Sequence, residues 1–269
     1  MRMPALALTW IMPRRAFTGE RVLIMMTSVA AGLIIWELVV RLGFVSPLLL
    51  SAPSKIFIAF VDLVASGELE KHLIVSGKEF VVGLALALLV GLPIAIAAGW
   101  YTRFGLILQP LVAVLFAAPT IALFPLIILF LGIGFWDKVL LVFLSGFLQI
   151  YITITSGIRA TDHRWIRVAR SFRASKARMF WSVVMPGAIP YILLGIRLAI
   201  GRSLVNVIVA EMLAAEAGLG YMIAYYGNTF QVANVFVAIG SVVCLGVILD
   251  QALVYVDRRV SRWRGTVYK

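Results

Sequence analysis

Long apolar stretches separated by short polar ones dominate this sequence of 269 residues. A helix needs about 20 residues to cross the hydrocarbon core of a bilayer, and it satisfies its own backbone hydrogen bonds in lipid. Six stretches are long enough, and none of them alternates between polar and apolar positions as a barrel strand would. The predicted membrane spans are residues 22–40, 74–100, 105–131, 138–157, 186–211 and 235–256.

Two other segments have patterns of their own. Segment 54–65 carries apolar residues at helical spacing behind Ser54 as an N-cap, which predicts a helix on the outer surface. Segment 213–230 holds three glycines among aromatic residues, which is typical of a broken helix or a re-entrant loop. Within the third span, Pro110, Pro119 and Pro125 predict bends.

Composition agrees with a membrane protein. The chain is 62% hydrophobic and 13% charged, whereas a soluble domain carries about 25% charged residues. We therefore expect an all-α integral membrane protein of one domain: a cytoplasmic segment 1–21, a six-span domain 22–256 and a basic tail 257–269. His72 and His163 have no ligand spacing around them, so no metal site is predicted, and Cys244 has no second cysteine to pair with.

The charges orient the chain. With the N-terminus in the cytoplasm, most of the 24 lysines and arginines lie on the cytoplasmic side. The outer segments then hold only Arg41, Lys55, Lys71, Lys78 and Lys138. The positive-inside rule thus predicts that both termini are cytoplasmic. The net charge of +12 reflects this orientation, and without a basic soluble domain the chain predicts no nucleic-acid partner.

A basic block lies between the fourth and fifth spans. On a helix, one face of it would carry Trp165, Val168, Ala169 and Phe172, and the opposite face Arg164, Arg167, Arg170 and Arg173. Thr161 or Asp162 would cap this helix, and Ser175 would cap a second short helix, 176–181, that leads into the fifth span.

Two interpretations of the block stay open. Its arginines would lie among lipid headgroups, or the helix would dock a cytoplasmic protein. Its position between spans, its narrow aromatic face and its direct continuation into a span favour docking.

The block also resembles the EAA loop of ABC importer permeases. That pattern is Glu-Ala-Ala, three residues, Gly, nine residues and Ile-x-Leu-Pro. The second alanine, the isoleucine, the leucine and the proline are matched by Ala169, Val183, Met185 and Pro186. Arg167 and Arg173 stand in place of the glutamate and the glycine. The stretches SPLLLSAPSKIFIAF, GIRLAIGRSLVNVIVAEML and GLGYMIA resemble the nitrate/sulfonate/taurine branch.

The resemblance implies a type I ABC importer permease fold in the bacterial cytoplasmic (inner) membrane. A cytoplasmic coupling helix would lie between spans 4 and 5, in a loop of about residues 160–182. The implied partners are a second permease copy in a homodimer, two cytoplasmic ATPase subunits and a periplasmic or surface solute-binding protein. The residues that the resemblance implies for coupling to the ATPase are Arg164, Trp165, Arg167, Val168, Ala169, Arg170, Phe172 and Arg173.

The chain has no G-x-x-x-x-G-K-[ST] motif and no nucleophile beside a base. We therefore expect no catalytic residue and no cofactor in this chain, with ATP and Mg²⁺ on the partner ATPase. The expected function is the permease subunit for a small anionic solute such as a sulfonate, taurine, nitrate or an organic acid. The alternatives are a self-contained channel or secondary transporter, a membrane scaffold, and a same-family permease for a neutral vitamin precursor or an aromatic solute.

Charged residues inside a span are costly and often functional. Arg197, Arg202 and Asn206 in the fifth span are therefore candidate residues of the translocation pathway. Structural pairing is the competing interpretation. It would join Arg197 to Asp250, and Arg202 to Glu211, Glu216, Glu37 or outer headgroups.

Overall fold

A computed structural model describes residues 18–46 and 48–260, and within them the secondary structure is helical. The predicted segment 1–21 and the basic tail 257–269 therefore lie mostly outside the described residues. The α-helices are α1 Thr18–Arg41, α2 Pro53–Ala65, α3 Glu68–Trp100, α4 Thr102–Ala117, α5 Phe124–Leu131, α6 Trp136–Arg159, α7 His163–Ser171, α8 Lys176–Met179, α9 Met185–Leu213, α10 Leu219–Asn228 and α11 Val232–Val260.

In the described part of the chain, five helical segments are long and apolar enough to cross a membrane, and α4 with α5 would make a sixth. This pair bends by 88°, in the stretch predicted as the third span. The bend follows the prolines, because Pro119 precedes a 3₁₀ turn, Thr120–Leu123, and Pro125 lies in the first turn of α5. Pro110 lies inside α4.

The relative direction of α3 and α6 shows whether α4 and α5 together make one membrane crossing. Gly83 of α3 lies against Val142 of α6, and Gly99 lies against Ile158. The residue numbers rise together, so the two helices run parallel. The chain must therefore return across the bundle between Trp100 and Trp136, and α4 with α5 carries it back. The fold thus has six crossings, as the sequence predicts.

The other spans run antiparallel to their neighbours. In α9, Tyr191 lies against Gly157 of α6, and the Ser203 hydroxyl donates to the Val142 carbonyl at 3.1 Å. The start of α11 meets the end of α1 through the rings of Trp36 and Phe236, whose centroids are 5.4 Å apart. One side of the bundle, here named the α7 side, therefore carries α7, α8 and the described ends of the chain. The opposite side, named the α10 side, carries α2 and α10.

The predicted surface helix is α2, but its predicted cap is wrong. The N-cap position is Ala52, because Pro53 occupies the first turn, where a missing N–H costs little. Ser54 instead donates its N–H and its hydroxyl to Glu37 of α1, at 3.0 and 2.7 Å. Glu37 also pairs with Arg41 one turn further on, as the spacing predicts. These contacts fasten α2 to the end of the first span.

Candidate functional site

The predicted amphipathic helix is α7, on the α7 side of the bundle. The Asp162 carboxylate caps it by accepting from the Arg164 N–H at 2.8 Å and from the Arg164 side chain at 2.9 Å. The hydrogen bond from the Arg164 N–H lowers the pKa of Asp162. Asp162 is the cap rather than Thr161, and Ser175 caps α8 by accepting from the Arg178 N–H.

Helix α7 ends in a Schellman motif that has arginine at the glycine position. The Ala174 N–H donates to the Ala169 carbonyl at 3.1 Å, and the Arg173 N–H donates to the Arg170 carbonyl at 2.9 Å. Arg173 has a φ of 53°, in the left-handed region that glycine adopts without cost. The sequence placed Arg173 on the polar helix face, whereas the structure places it one residue beyond the cap. Its side chain therefore leaves the loop in a different direction from the other arginines.

Both faces of α7 are open in this chain. Among the apolar residues, Trp165 is 64%, Val168 48% and Phe172 82% exposed. The side chains of Arg167, Arg170 and Arg173 are also exposed and make no hydrogen bond or ion pair shorter than 4 Å within the described residues. The aromatic residues and the arginines of α7 are therefore both accessible in this chain.

The loop is joined to the membrane without a break. After α8, a π-helical turn, Phe180–Val184, runs directly into α9, and Pro186 lies in the first turn of that span. Val184 is buried, and the ring of Phe180 packs against Trp100 at 5.1 Å between centroids. Helix α8, the π-helical turn and α9 therefore form one continuous helical segment.

The three candidate pathway residues lie on α9 in different environments. Arg197 binds Asp250 of α11 through two hydrogen bonds of 2.8 and 3.0 Å, which is the predicted structural pair. Arg202 is exposed, and its side chain makes no hydrogen bond or ion pair within the described part of the chain. Asn206 is 6% exposed, and its Nδ2 has no hydrogen-bond partner among the described residues. The predicted pairing of Arg202 with Glu211, Glu216 or Glu37 is absent there.

A buried polar group near the α10 side has no counterpart among the features predicted from the sequence. Glu79, Asp137, Lys138 and Glu211 are each at most 3% exposed. The Lys138 ammonium donates to the Gly134 carbonyl at 2.7 Å and lies 3.2 Å from the Asp137 carboxylate. The two glutamates face each other, with Lys138 close enough to act on both. The charge count placed Lys138 on the outer side, as the first residue of the fourth predicted span, and the structure buries it at the start of α6.

A second missed feature is a polar stripe on α3. Glu68, His72 and Ser76 recur every four residues and so lie on one face, where all three contact α10 or the turn before it. The spacing E-x₃-H-x₃-S was visible in the sequence. It was overlooked because the predicted span began at residue 74 and excluded the first two of these residues.

Comparison with known proteins agrees with this architecture. Residues 87–262 match the family model described as "Binding-protein-dependent transport system inner membrane component". The putative aliphatic sulfonates transport permease protein of Bacillus subtilis is 35% identical over 86% of this chain and 84% of its own length. The taurine transport system permease protein of Escherichia coli is 30% identical over 93% and 92%. The inward-facing MetNI methionine ABC transporter shares the fold, with a TM-score of 0.61, 15% identity, and coverage of 69% of this chain and 93% of that one.

The family model and these relatives describe transport permease components, which are not enzymes, and the six-crossing helical bundle agrees with that class. The chain belongs to the family of binding-protein-dependent transport system inner membrane components. It is an integral inner-membrane permease of an ABC importer with the type I fold, and such a permease implies ATPase and solute-binding partners.

Proposed function

We propose that this permease works as a homodimer that imports a small sulfonate or related organic anion. The observation that carries the proposal is Arg202, an arginine inside a span whose side chain has no partner within the described residues. The named solutes of two relatives, aliphatic sulfonates and taurine, carry a sulfonate group. A guanidinium fork matches the oxygens of such a group with two parallel hydrogen bonds.

In the proposed orientation the α7 side is cytoplasmic and the α10 side faces the solute-binding protein. Arg159, Arg164, Arg167, Arg170, Arg173, Lys176 and Arg178 all lie on the α7 side, where Asp162 is the only acid between residues 159 and 178. Cytoplasmic segments are enriched in lysine and arginine, which supports this assignment. Both described ends of the chain then face the cytoplasm.

We place the ATPase on α7. Docking would bury the aromatic face around Phe172 and bring the arginines against the ATPase surface. Because Arg167 and Arg173 replace a glutamate and a glycine of the family pattern, the matching surface should carry carboxylates. ATP and Mg²⁺ would be bound by the ATPase, and the permease would contribute no cofactor. Motion of the ATPase would then reach α9 through α8 and the π-helical turn.

Solute would pass along the exposed face of α9. Two copies of Arg202, one from each protomer, would attract the anion at this face. Asn206, one turn further on, is buried, so its unpartnered Nδ2 would reach the solute only when the bundle opens. Arg197 would contribute less, because the Asp250 carboxylate compensates its charge.

The deciding experiment is uptake in proteoliposomes that contain the permease with its ATPase and its solute-binding protein. We expect ATP-dependent uptake of taurine or an alkanesulfonate, and no uptake when the ATPase is omitted. Uptake without the ATPase would instead indicate a channel or a secondary transporter. ATP-dependent uptake of a neutral pyrimidine alone would agree with an importer but would contradict the proposal that the solute is an anion.

Orientation is tested separately in a Cys244→Ala background. A cysteine replacing Ser66, on the α10 side, should react with an impermeant thiol reagent in intact cells. A cysteine replacing Ser171, in α7, should react only after the membrane is opened. Both serines are exposed, so the two variants form a matched pair. Labelling of the Ser171 variant in intact cells would show that the orientation is the reverse of the one proposed.

A further inference from the structure

Helix α10 begins with three successive backbone N–H groups that are all bound by side chains of two membrane spans. The Gly218 N–H donates to Nδ1 of His72 at 2.9 Å, and the Leu219 N–H donates to the Ser76 hydroxyl at 2.7 Å. The Gly220 N–H donates to the Glu211 carboxylate at 2.7 Å. The first N–H groups of a helix have no partner within the helix, so α3 and α9 together supply them.

The backbone at this point lies unusually close to α9. Gly218 has a φ of 120°, and a Cβ there would lie 2.4 Å from the Glu211 carboxyl carbon. A Cβ at Gly220 would lie 2.1 Å from the Ile208 carbonyl oxygen. Only glycine permits this approach, so the start of α10 fits one docked position.

The other end of α10 is fastened to the same face of α3. The Tyr226 hydroxyl donates to the Glu68 carboxylate at 2.5 Å. Burial and this carboxylate raise the pKa of Tyr226, so the phenol stays protonated and remains a donor. Between the two attachments, Leu219 and Met222 are 0% and 1% exposed in the core beneath the helix. We name this set of contacts, from Glu68, His72, Ser76 and Glu211 to α10, the α10 latch.

We propose that the α10 latch is a pH-sensitive closure on the α10 side of the permease, released when His72 gains a proton. Nδ1 of His72 accepts the Gly218 N–H, so the docked state requires the ring to carry its proton on Nε2 alone. Protonation of Nδ1 turns the acceptor into a donor that points at another donor. The statement that the α10 latch lies on the side where solute enters rests on the orientation proposed above. The contacts of the α10 latch do not depend on that orientation.

His72 is the member of the α10 latch suited to this role. Histidine is the one side chain whose unperturbed charge change falls between about pH 5 and 8. The groups facing it are Glu68 and Lys71 on its own helix, and the ring of Tyr221 from α10, stacked at 5.7 Å between centroids. Burial is the largest influence on His72 and favours the neutral ring, whereas among the nearby charges Glu68 favours the charged ring and Lys71 opposes it. The Glu211 carboxylate of α9 lies against Gly218, the residue that His72 binds.

The test reports on the docking of α10 directly, in a Cys244→Ala background. Met222→Cys places a thiol under α10, and Tyr225→Cys places one on the exposed side of the same helix. The quantity measured is the labelling rate of Met222→Cys divided by that of Tyr225→Cys, with a water-soluble thiol reagent. Dividing the two rates removes the effect of pH on thiol reactivity that both variants share. Because burial favours the neutral ring of His72, the pH is lowered from about 7.5 to about 5, the lower end of the histidine range, and this should raise the ratio. Loss of one buried hydrogen bond corresponds to a rise of about tenfold.

Two variants of His72 make the result specific. His72→Asn keeps an acceptor oxygen near the position of Nδ1 but does not titrate, so the ratio should stay low at both pH values. His72→Leu lacks the acceptor, so the ratio should be high at both. A ratio that is flat in the protein with His72, or the same pH response in His72→Asn, would overturn the proposal. Labelling needs neither ATPase nor solute, so a failure of the proposed transport function would be seen separately, in the uptake assay.

Discussion

The carboxylate of Asp250 binds the guanidinium of Arg197 through two hydrogen bonds, of 2.8 and 3.0 Å, and so joins α11 to α9. Five residues further along α9, Arg202 makes no such contact within the described residues. Two arginines of one span therefore have different surroundings. The first joins two helices, and the second is exposed.

The pair between Arg197 and Asp250 should contribute to folding more than to transport. Asp250→Asn or Arg197→Gln alone leaves one charge unpaired in the membrane region, so each should lower the melting temperature of the purified permease. Replacing both residues, by Arg197→Gln with Asp250→Asn, should recover much of the loss because no charge is left unpaired. Thermal unfolding in detergent measures this coupling, and additive losses in the double variant would contradict it.

Arg202 should act in transport and not in folding. We expect Arg202→Gln to fold and to keep its basal ATPase activity while uptake of a sulfonate falls. A lost hydrogen-bonded charge contact is worth about 1.5–3 kcal/mol, so the fall should be about tenfold to a hundredfold. Arg202→Lys should recover only part, because it returns the charge without the fork.

The matched control for Arg202 is Val205→Gln, which adds the same side chain on the same exposed face of α9. It should transport nearly normally at equal protein levels. Normal transport by Arg202→Gln would show that transport does not need this arginine, and loss of the variant as misfolded protein would show a structural role.

The left-handed backbone at Arg173 should carry a measurable cost. A non-glycine residue in this conformation loses about 1–2 kcal/mol, so Arg173→Gly should stabilise the end of α7 by about 1 kcal/mol. Arg173→Asn tolerates the same conformation without the charge, and Arg173→Val should destabilise. Melting temperatures should therefore rank glycine above asparagine, and asparagine above valine. Coupled ATPase activity should fall in all three if the charge matters for docking.

The exposed face of α7 should bind the ATPase. Phe172→Glu and Ala169→Asp put carboxylates on the apolar face and should release the ATPase in a detergent pull-down, with the permease still folded. Ser171→Ala, on the same helix, should bind normally. Binding should also weaken with salt, because exposed charge pairs are screened. Full retention of the ATPase by both acidic variants would show that this face does not dock.

The alternative interpretation of α7, in which its arginines lie among lipid headgroups, predicts a different result. If the arginines lie among headgroups, the acidic variants would still bind the ATPase, but Arg167→Gln with Arg170→Gln would weaken association of an α7 peptide with vesicles of anionic lipid. A docking role predicts loss of ATPase binding in that double variant within the intact permease.

Long uninterrupted apolar runs determined the number of crossings, because a helix in lipid must be both long and apolar. The local signals at α7 were equally direct. The Asp162 cap, the Ser175 cap and Pro186 in the first turn of α9 depend on residues close together in the chain, and the structure contains all three. The Ser54 cap failed because the neighbouring Pro53 took the first turn and Glu37, distant in sequence, bound Ser54 instead.

What only the tertiary structure decided is which polar residues meet. The sequence favoured the pairing of Arg197 with Asp250 on the condition that their helices are neighbours, and the packing of α9 beside α11 meets that condition. His72, Ser76 and Glu211 meet α10 because α3 and α9 pack beside it, over sequence separations that no local pattern encodes. Sequence periodicity specifies which face of a helix is polar. Which neighbour that face meets depends on the packing of whole helices, and that packing is set by small residues such as Gly83 and Gly99 on α3.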